Sequence, residues 1–250
     1  MGADVVFCLP HAGGGMHQYL SWATAFGGVL DWEPVEYPGH FTRDEEPCYD
    51  TFEDAVTDLA DHIATRADGR RIGIFGHSLG ATLAYEVGRR LTACSKAELD
   101  AVVISSSAPP SCAGAIRQRY FELDDEELME HLQRLDDTEA RSPVWHALVA
   151  DILPLIRSDY RLHHSYRPDP AASINVPLHV CAGIREPIGK DQLLGWQRHG
   201  SASVKFYWFP GGHFYWRPQV KCITDVLREL FASPESGAPY TGTRTSACRY

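Results

Sequence analysis

The chain has 250 residues, 44% of them hydrophobic, which is enough for one sizeable core. Its formal net charge of −10 argues against a nucleic-acid partner, because that function needs clustered Lys and Arg. The sequence has no apolar run long enough for a membrane span, no secretion signal and no Cys-x-x-Cys pair among its seven Cys, so it predicts a cytoplasmic protein with reduced thiols and no membrane partner.

The first predicted element is a buried strand at Val5–Leu9, and a glycine-rich loop follows it at residues 10–15. Consecutive glycines allow the backbone of this loop to approach a ligand closely, although an ordinary flexible turn has the same composition. A second, short strand is predicted at residues 33–37. Asp50 is then predicted to cap a helix, because apolar residues recur on one helical face after it.

Residues 72–81 change from a strand pattern to a helix pattern around Gly76-His77-Ser78-Leu79-Gly80. Residues 72–75 are apolar and partly β-branched, while Leu or Val recurs every fourth residue from Leu79 to Leu91. A strand that turns directly into a helix holds the corner residue in a strained backbone conformation, with its side chain projecting. The pattern predicts the nucleophile elbow of an α/β-hydrolase, with Ser78 as the nucleophile.

A stretch at about 111–170 lies between strands predicted at residues 101–105 and 178–182. It contains two helical patterns, 124–135 and 143–160, and is long for a crossover connection. The sequence therefore predicts an inserted helical lid over Ser78, with a set of crossover helices as the alternative. Three apolar residues of the second helix are predicted to line an acyl pocket: Trp145, Leu148 and Ile152.

The rest of the chain completes a mostly parallel sheet flanked by helices, in a single domain at 1–232. The last strand is predicted at Val204–Phe209, and a closing helix follows at about 219–231. The segment 233–250 is rich in Ser, Thr, Gly and Pro and is predicted to be a disordered tail.

Hydrolysis through Ser78 requires a base, an acid that orients the base, and donors for the oxyanion. Of twelve His, His213 is the candidate base, because it follows the last strand on a glycine-rich loop and gives the hydrolase order of Ser, acid, His. Glu186 is the candidate acid, and Asp191 is the alternative. The backbone N–H groups of Leu79 and Ala12 are the predicted oxyanion donors. No metal site is predicted.

Five motifs together carry a resemblance to a known family: Pro10-His11-Ala12-Gly13-Gly14, Tyr37-Pro38-Gly39, the elbow, Leu155-Ile156-Arg157-Ser158-Asp159-Tyr160 and Pro210-Gly211-Gly212-His213-Phe214. With these motifs the chain resembles the type II thioesterases of polyketide and nonribosomal peptide pathways. The resemblance implies a stand-alone editing enzyme that needs no cofactor and removes aberrant acyl groups from the phosphopantetheine arm of an acyl or peptidyl carrier protein. The family commonly has Asp where this chain has Glu186.

Three other functions compete with this interpretation. The first is a carboxylesterase or lipase-like enzyme for free small-molecule esters. The motifs around His11 and His213 disfavour it, because they are shared by far fewer hydrolases than the elbow. A release thioesterase that cyclises its product usually forms the end of a synthase, and a non-catalytic carrier-binding module would not need Ser78 and His213. The sequence does not specify the pathway, the acyl chain or the oligomeric state. It also leaves open whether the acyl donor is a ketide or an aminoacyl group.

Carrier proteins are generally acidic, so docking on this acidic chain requires a local basic or apolar patch. The stretch at 111–170 is rich in arginine and is the predicted docking region. Arg157 is expected to bond Asp159 or a buried neighbour. The arginines considered are Arg117, Arg119, Arg134, Arg141, Arg157, Arg161 and Arg167.

Overall fold

The computed structural model describes residues 2–28, 30–94, 97–112, 114, 118–136 and 142–231. Its six strands form one sheet in the order β2-β1-β3-β4-β5-β6, and every neighbouring pair is parallel. The strands are β1 (Val5–Leu9), β2 (Asp31–Pro34), β3 (Ile72–His77), β4 (Leu99–Ser105), β5 (Leu178–Gly183) and β6 (Val204–Phe209). The predicted tail at 233–250 lies outside the described residues.

Helices cover both faces of the sheet. They are α1 (Leu20–Phe26), α2 (Phe52–Ala67), α3 (Leu79–Cys94), α4 (Asp125–Leu135), α5 (Pro143–Ser165), α6 (Lys190–Leu194) and α7 (Val220–Phe231). Val5, Phe7 and Leu9 of β1 share a core with α2 and α3, whereas the intervening Val6 and Cys8 share the other core with α1 and α7. Because both faces of the sheet are covered, the inner strands β1, β3, β4 and β5 are buried and mostly apolar. None of the described helices has both the length and the apolarity that crossing a membrane requires.

The central strand β3 positions the site. It pairs with β1 on one side and with β4 on the other, and the chain passes from His77 at its carboxyl end into α3 with only Ser78 between them. In parallel sheets, ligands bind beyond the carboxyl ends of the strands. This end of the sheet is therefore where the site is expected.

Two local predictions were wrong. β2 begins at Asp31 and ends at Pro34 rather than spanning residues 33–37, because its pairing with β1 runs from Val5 opposite Asp31 to Cys8 opposite Pro34. The cap of α2 is Thr51 and not Asp50. The Thr51 hydroxyl accepts a hydrogen bond from the Asp54 backbone N–H at 3.2 Å, and the helix starts at the buried Phe52.

The predicted insertion at about 111–170 contains α4 and α5, as the helical patterns indicated. The second helix runs on to Ser165, five residues beyond the predicted end, although Pro154 lies inside it. α5 packs against α4, α2 and the short turn Tyr120–Glu122. The insertion thus contacts the main domain through α5 and α2.

Candidate active site

Ser78 occupies the corner between β3 and α3 in a left-handed conformation, with φ of +55°. For a residue with a side chain this conformation costs about 1–3 kcal/mol, so the surroundings must hold it in place. The Ser78 N–H donates to Ser105 O on the neighbouring strand at 2.8 Å, and Ser78 O accepts from the Ala81 N–H at 3.0 Å. This geometry matches the nucleophile elbow that the sequence predicted.

The two glycines of the elbow are required by close backbone packing. A Cβ atom on Gly76 would lie 2.1 Å from Gly80 O, and a Cβ on Gly80 would lie 2.0 Å from Leu9 O. Only glycine therefore lets the start of α3 approach both its own strand and the end of β1. The same approach brings the glycine-rich loop at residues 10–15 next to Ser78.

His213 and Glu186 form a buried pair on the loops that follow β6 and β5. His213 Nδ1 lies 2.9 Å from Glu186 Oε1, and both side chains are almost fully buried. Burial alone would raise the pKa of Glu186, but the charge and the hydrogen bond of His213 bring it below its usual value. An ionised Glu186 accepts the Nδ1 proton of His213, which leaves Nε2 as an acceptor.

Ser78, His213 and Glu186 all line one cavity of about 250 Å³. Its outer wall includes His131 and Leu135 of α4. This volume is just below the range of about 300–1,000 Å³ for drug-sized ligands, so it fits a short acyl group. Asp191, the alternative acid, is exposed on α6 and does not line this cavity.

The two predicted oxyanion donors are left without hydrogen bonds. The Gly13 N–H donates to Asp159 Oδ2 at 2.7 Å, and the Gly14 N–H donates to His11 O at 2.8 Å. In the part of the chain that the structure describes, the N–H groups of Ala12 and Leu79 make no hydrogen bond. Both remain available to a negative oxygen that develops at Ser78.

Asp159 of α5 is a buried carboxylate that fixes the loop at residues 10–15. Besides the Gly13 N–H, its Oδ2 lies 3.0 Å from His40 Nε2, and His40 Nδ1 lies 3.1 Å from Pro38 O. Burial would lower the pKa of His40, but the bond to Asp159 outweighs it and raises the pKa. When His40 is protonated, it can donate to both oxygens. Asp159 belongs to one of the sequence motifs, but no local pattern linked it to His40, since they are 119 residues apart.

The Asp159→Asn substitution should impair both stability and catalysis. It leaves one amide oxygen for the Gly13 N–H but removes the charge that holds His40. We expect a loss of about 3 kcal/mol in the free energy of unfolding, and a fall of about 10²-fold in kcat as the Ala12 N–H shifts. Urea unfolding and steady-state thioester hydrolysis measure the two effects. Asp151→Asn, an exposed site on the same helix, is the control, and equal behaviour of the two variants would contradict the assignment.

A second buried carboxylate joins the insertion to the loop that carries His213. Asp136, which follows α4, accepts a hydrogen bond from Trp145 Nε1 at 3.1 Å and forms an ion pair with Arg217. The Arg217 guanidinium in turn lies 4.1 Å from the ring centroid of Phe214, the residue after His213. Each of the two loops beside Ser78 is thus held by one carboxylate of the insertion.

The three helix residues that were predicted to line the acyl pocket do not line this cavity. Trp145 is directed to Asp136, Leu148 is 62% exposed, and Ile152 lies beside Gly13. Tyr160 and His163 of α5 face the cavity instead. Apolar periodicity therefore did not identify the side of α5 that faces the cavity, which carries polar side chains.

His77, which precedes Ser78, is held by a chain of hydrogen bonds. His77 Nδ1 lies 2.9 Å from Ser105 Oγ, which lies 2.8 Å from the Tyr215 hydroxyl. Burial, together with the nearby His213, lowers the pKa of His77 well below its usual value, so that it is neutral. This chain of side-chain hydrogen bonds links β3, β4 and the loop that carries His213.

No group of three or more His, Cys, Asp or Glu suited to a metal ion occurs among the described residues.

Comparison with known proteins agrees with this geometry. A model of the thioesterase domain family matches residues 5–233. Thioesterase PikA5 of Streptomyces venezuelae is 30% identical over 238 residues, which cover 92% of this chain and 83% of that protein.

Solved structures extend the similarity to the fold. RedJ, a thioesterase from the prodiginine biosynthetic pathway in Streptomyces coelicolor, matches with a TM-score of 0.84 at 26% identity, over 92% of this chain and 86% of RedJ. BorB, a type II thioesterase from the borrelidin biosynthetic cluster, matches with a TM-score of 0.77 at 30% identity, over 92% of this chain and 91% of BorB. The predictions of an α/β-hydrolase fold and of a thioesterase are confirmed. The chain therefore belongs to the thioesterase domain family and is similar to its type II members.

Proposed function

We propose that this protein is a stand-alone thioesterase that hydrolyses stalled or aberrant acyl groups from the phosphopantetheine arm of carrier proteins. The observation that carries the proposal is the buried His213–Glu186 pair in the cavity that Ser78 also lines. RedJ and BorB are thioesterases of biosynthetic pathways, and the match spans most of their length as well as most of this chain. Both points support a stand-alone enzyme of such a pathway.

The proposed reaction has two steps. His213 Nε2 takes the proton of Ser78 as the Oγ atom attacks the thioester carbonyl, and Glu186 stabilises the imidazolium that forms. The N–H groups of Leu79 and Ala12 bind the oxyanion, and the pantetheine thiol leaves with the proton from His213. Water then attacks the acyl-enzyme by the same route and releases the free acid. The pantetheine arm belongs to the substrate, so the chain itself supplies every group in this scheme.

Among the described arginines of the insertion, Arg161 lies over the Phe121 ring and Arg167 donates to backbone oxygens, so neither has a carboxylate partner in the described part of the chain. Arg119 pairs with Glu122. Arg157, which was expected to bond Asp159 or a buried neighbour, bonds Asp125 at 2.6 Å and backbone oxygens of the preceding turn.

Arg134 is 67% exposed and lies 3.6 Å from Glu130, a weak pair. Arg134 lies on α4, whose His131 and Leu135 line the cavity, and is therefore our candidate for contact with an acidic carrier. Arg117 and Arg141 lie outside the described residues.

The test compares one acyl group on a carrier protein with the same group on a pantetheine mimic. We expect a kcat/KM at least about tenfold higher for the carrier, because docking adds binding energy that the mimic lacks. Arg134→Glu should reduce that advantage, whereas Arg66→Glu on α2, which also pairs with a glutamate, should not. Equal rates on carrier and mimic, with faster hydrolysis of simple oxyesters, would favour the carboxylesterase alternative instead.

A further inference from the structure

The wall of the cavity beside Ser78 combines apolar side chains, among them Leu135 and Ile188, with polar groups that are almost all uncharged. Its polar lining residues away from the reacting centre are Ser107, Gln118, Tyr120, His131, Tyr160, His163 and Gln192. Among the described lining residues, Glu186 is the only Asp, Glu, Lys or Arg, and it is paired with His213. An acyl group in this cavity therefore meets several hydrogen-bonding groups and no ionised group except Glu186.

The outer part of this wall is held in place by its own contacts. His131 Nε2 lies 3.2 Å from the Tyr160 hydroxyl, and the Tyr120 ring stacks on His131 with centroids 3.8 Å apart. Burial, with smaller contributions from Arg134 and His213, lowers the pKa of His131 to about 4. At neutral pH this imidazole therefore carries both a donor and an acceptor nitrogen.

A second polar group lies closer to the nucleophile. Thr82 follows Ser78 by four residues, about 6 Å along the axis of α3. Its hydroxyl oxygen lies 3.0 Å from Ser107 Oγ and 3.2 Å from His163 Nε2, and both of those residues line the cavity. Burial lowers the pKa of His163 to about 4 as well. Polar groups thus extend from the region near the reacting carbon to Tyr160.

We infer that this cavity selects short, uncharged acyl groups that carry a hydroxyl or keto oxygen over aliphatic acyl groups of the same length. Neutral imidazoles and hydroxyl groups both donate and accept, so they can bind either kind of oxygen. An aliphatic chain would displace water from these groups without replacing its hydrogen bonds. A carboxylate group would find no counter-charge on the described wall, and an ammonium group would find only Glu186, which already binds His213. The inference rests on the proposed thioesterase function.

The experiment uses the full chain and compares its hydrolysis of two thioesters of N-acetylcysteamine, the 3-hydroxybutyryl and the butyryl thioester. We expect kcat/KM to favour the hydroxyacyl thioester by about tenfold, the effect of one net hydrogen bond. Tyr160→Phe and His131→Phe each keep a planar ring in the wall and should bring the ratio close to one. Tyr49→Phe is the control. The Tyr49 hydroxyl donates to Asp58 outside the cavity, so its removal should leave the kcat/KM ratio unchanged.

The outcomes separate the inference from the function on which it rests. Two outcomes would overturn the inference alone. In one, the wild-type protein hydrolyses both thioesters with a kcat/KM ratio near one. In the other, neither Tyr160→Phe nor His131→Phe changes the ratio. Hydrolysis of neither thioester and of no carrier-bound acyl group would overturn the proposed function together with the inference.

Discussion

Replacing Ser78 with Ala should lower kcat by about 10⁵–10⁶-fold, because the substitution removes the atom that forms the acyl-enzyme. The residual rate would come from the oxyanion donors and from binding. Alanine also relieves none of the left-handed strain at this position, where φ is +55°. The fold should therefore persist with little change in stability, and carrier binding should persist with it.

Two measurements check this expectation. Steady-state hydrolysis gives the loss of kcat, and mass spectrometry after treatment with a serine-directed reagent identifies the modified residue. Ser203→Ala, at an exposed serine just before β6, is the matched control and should keep full activity. Full activity in Ser78→Ala, or inactivation through another serine, would exclude Ser78 as the nucleophile. Lost turnover with retained carrier binding would also separate an enzyme from a non-catalytic binding module.

The Glu186→Gln variant should lose about 10³–10⁴-fold in kcat while its fold is retained. The carboxylate accepts the Nδ1 proton of His213 at 2.9 Å. A glutamine amide in the same place can donate to Nδ1, which favours the tautomer with its proton on Nε2. In that tautomer His213 cannot take the proton of Ser78, so the loss should appear in kcat rather than in substrate binding.

Asp191→Asn is the control, since Asp191 is the other acid that follows β5. It is exposed on α6, and its replacement should change kcat by less than about twofold. Nitrogen-15 chemical shifts of the imidazole measure the tautomer of His213 directly, and Glu186→Gln should shift the proton from Nδ1 to Nε2. A large loss in Asp191→Asn with an active Glu186→Gln would show that the acid is Asp191.

The main strands and the elbow were predictable because their signals are local. β1, β3, β4, β5 and β6 are apolar runs of strand length, and the Gly76-x-Ser78-x-Gly80 spacing follows from backbone packing at one corner. His213 was predictable from chain order, since the carboxyl ends of parallel strands meet at one edge of the sheet. The edge strand β2 was misplaced by two residues at its start, because an edge strand carries a weaker apolar pattern and this one ends at a proline.

The remaining parts of the site depend on tertiary contacts that no local pattern encodes. Glu186 and Asp191 both follow β5, and only the position of the His213 loop distinguishes them. Asp159 acts on Gly13 across 146 residues of sequence. The choice of Trp145, Leu148 and Ile152 for the pocket rested on their apolar character, and it could not anticipate that the cavity meets α5 through Tyr160 and His163.

Two buried carboxylates of the insertion tie the geometry of the site to the position of the insertion. Asp159 holds the loop with the Ala12 N–H, and Asp136 holds Arg217 next to the His213 loop. If α4 and α5 were to move away, the Ala12 N–H and the His213 loop would both lose these supports, and the geometry of the proposed site would be disturbed. Under the proposed function, a carrier that binds the present arrangement more tightly would raise the population of aligned sites, and an acyl group at Ser78 would strengthen carrier binding by the same factor. Docking and chemistry would then be coupled through two buried charges.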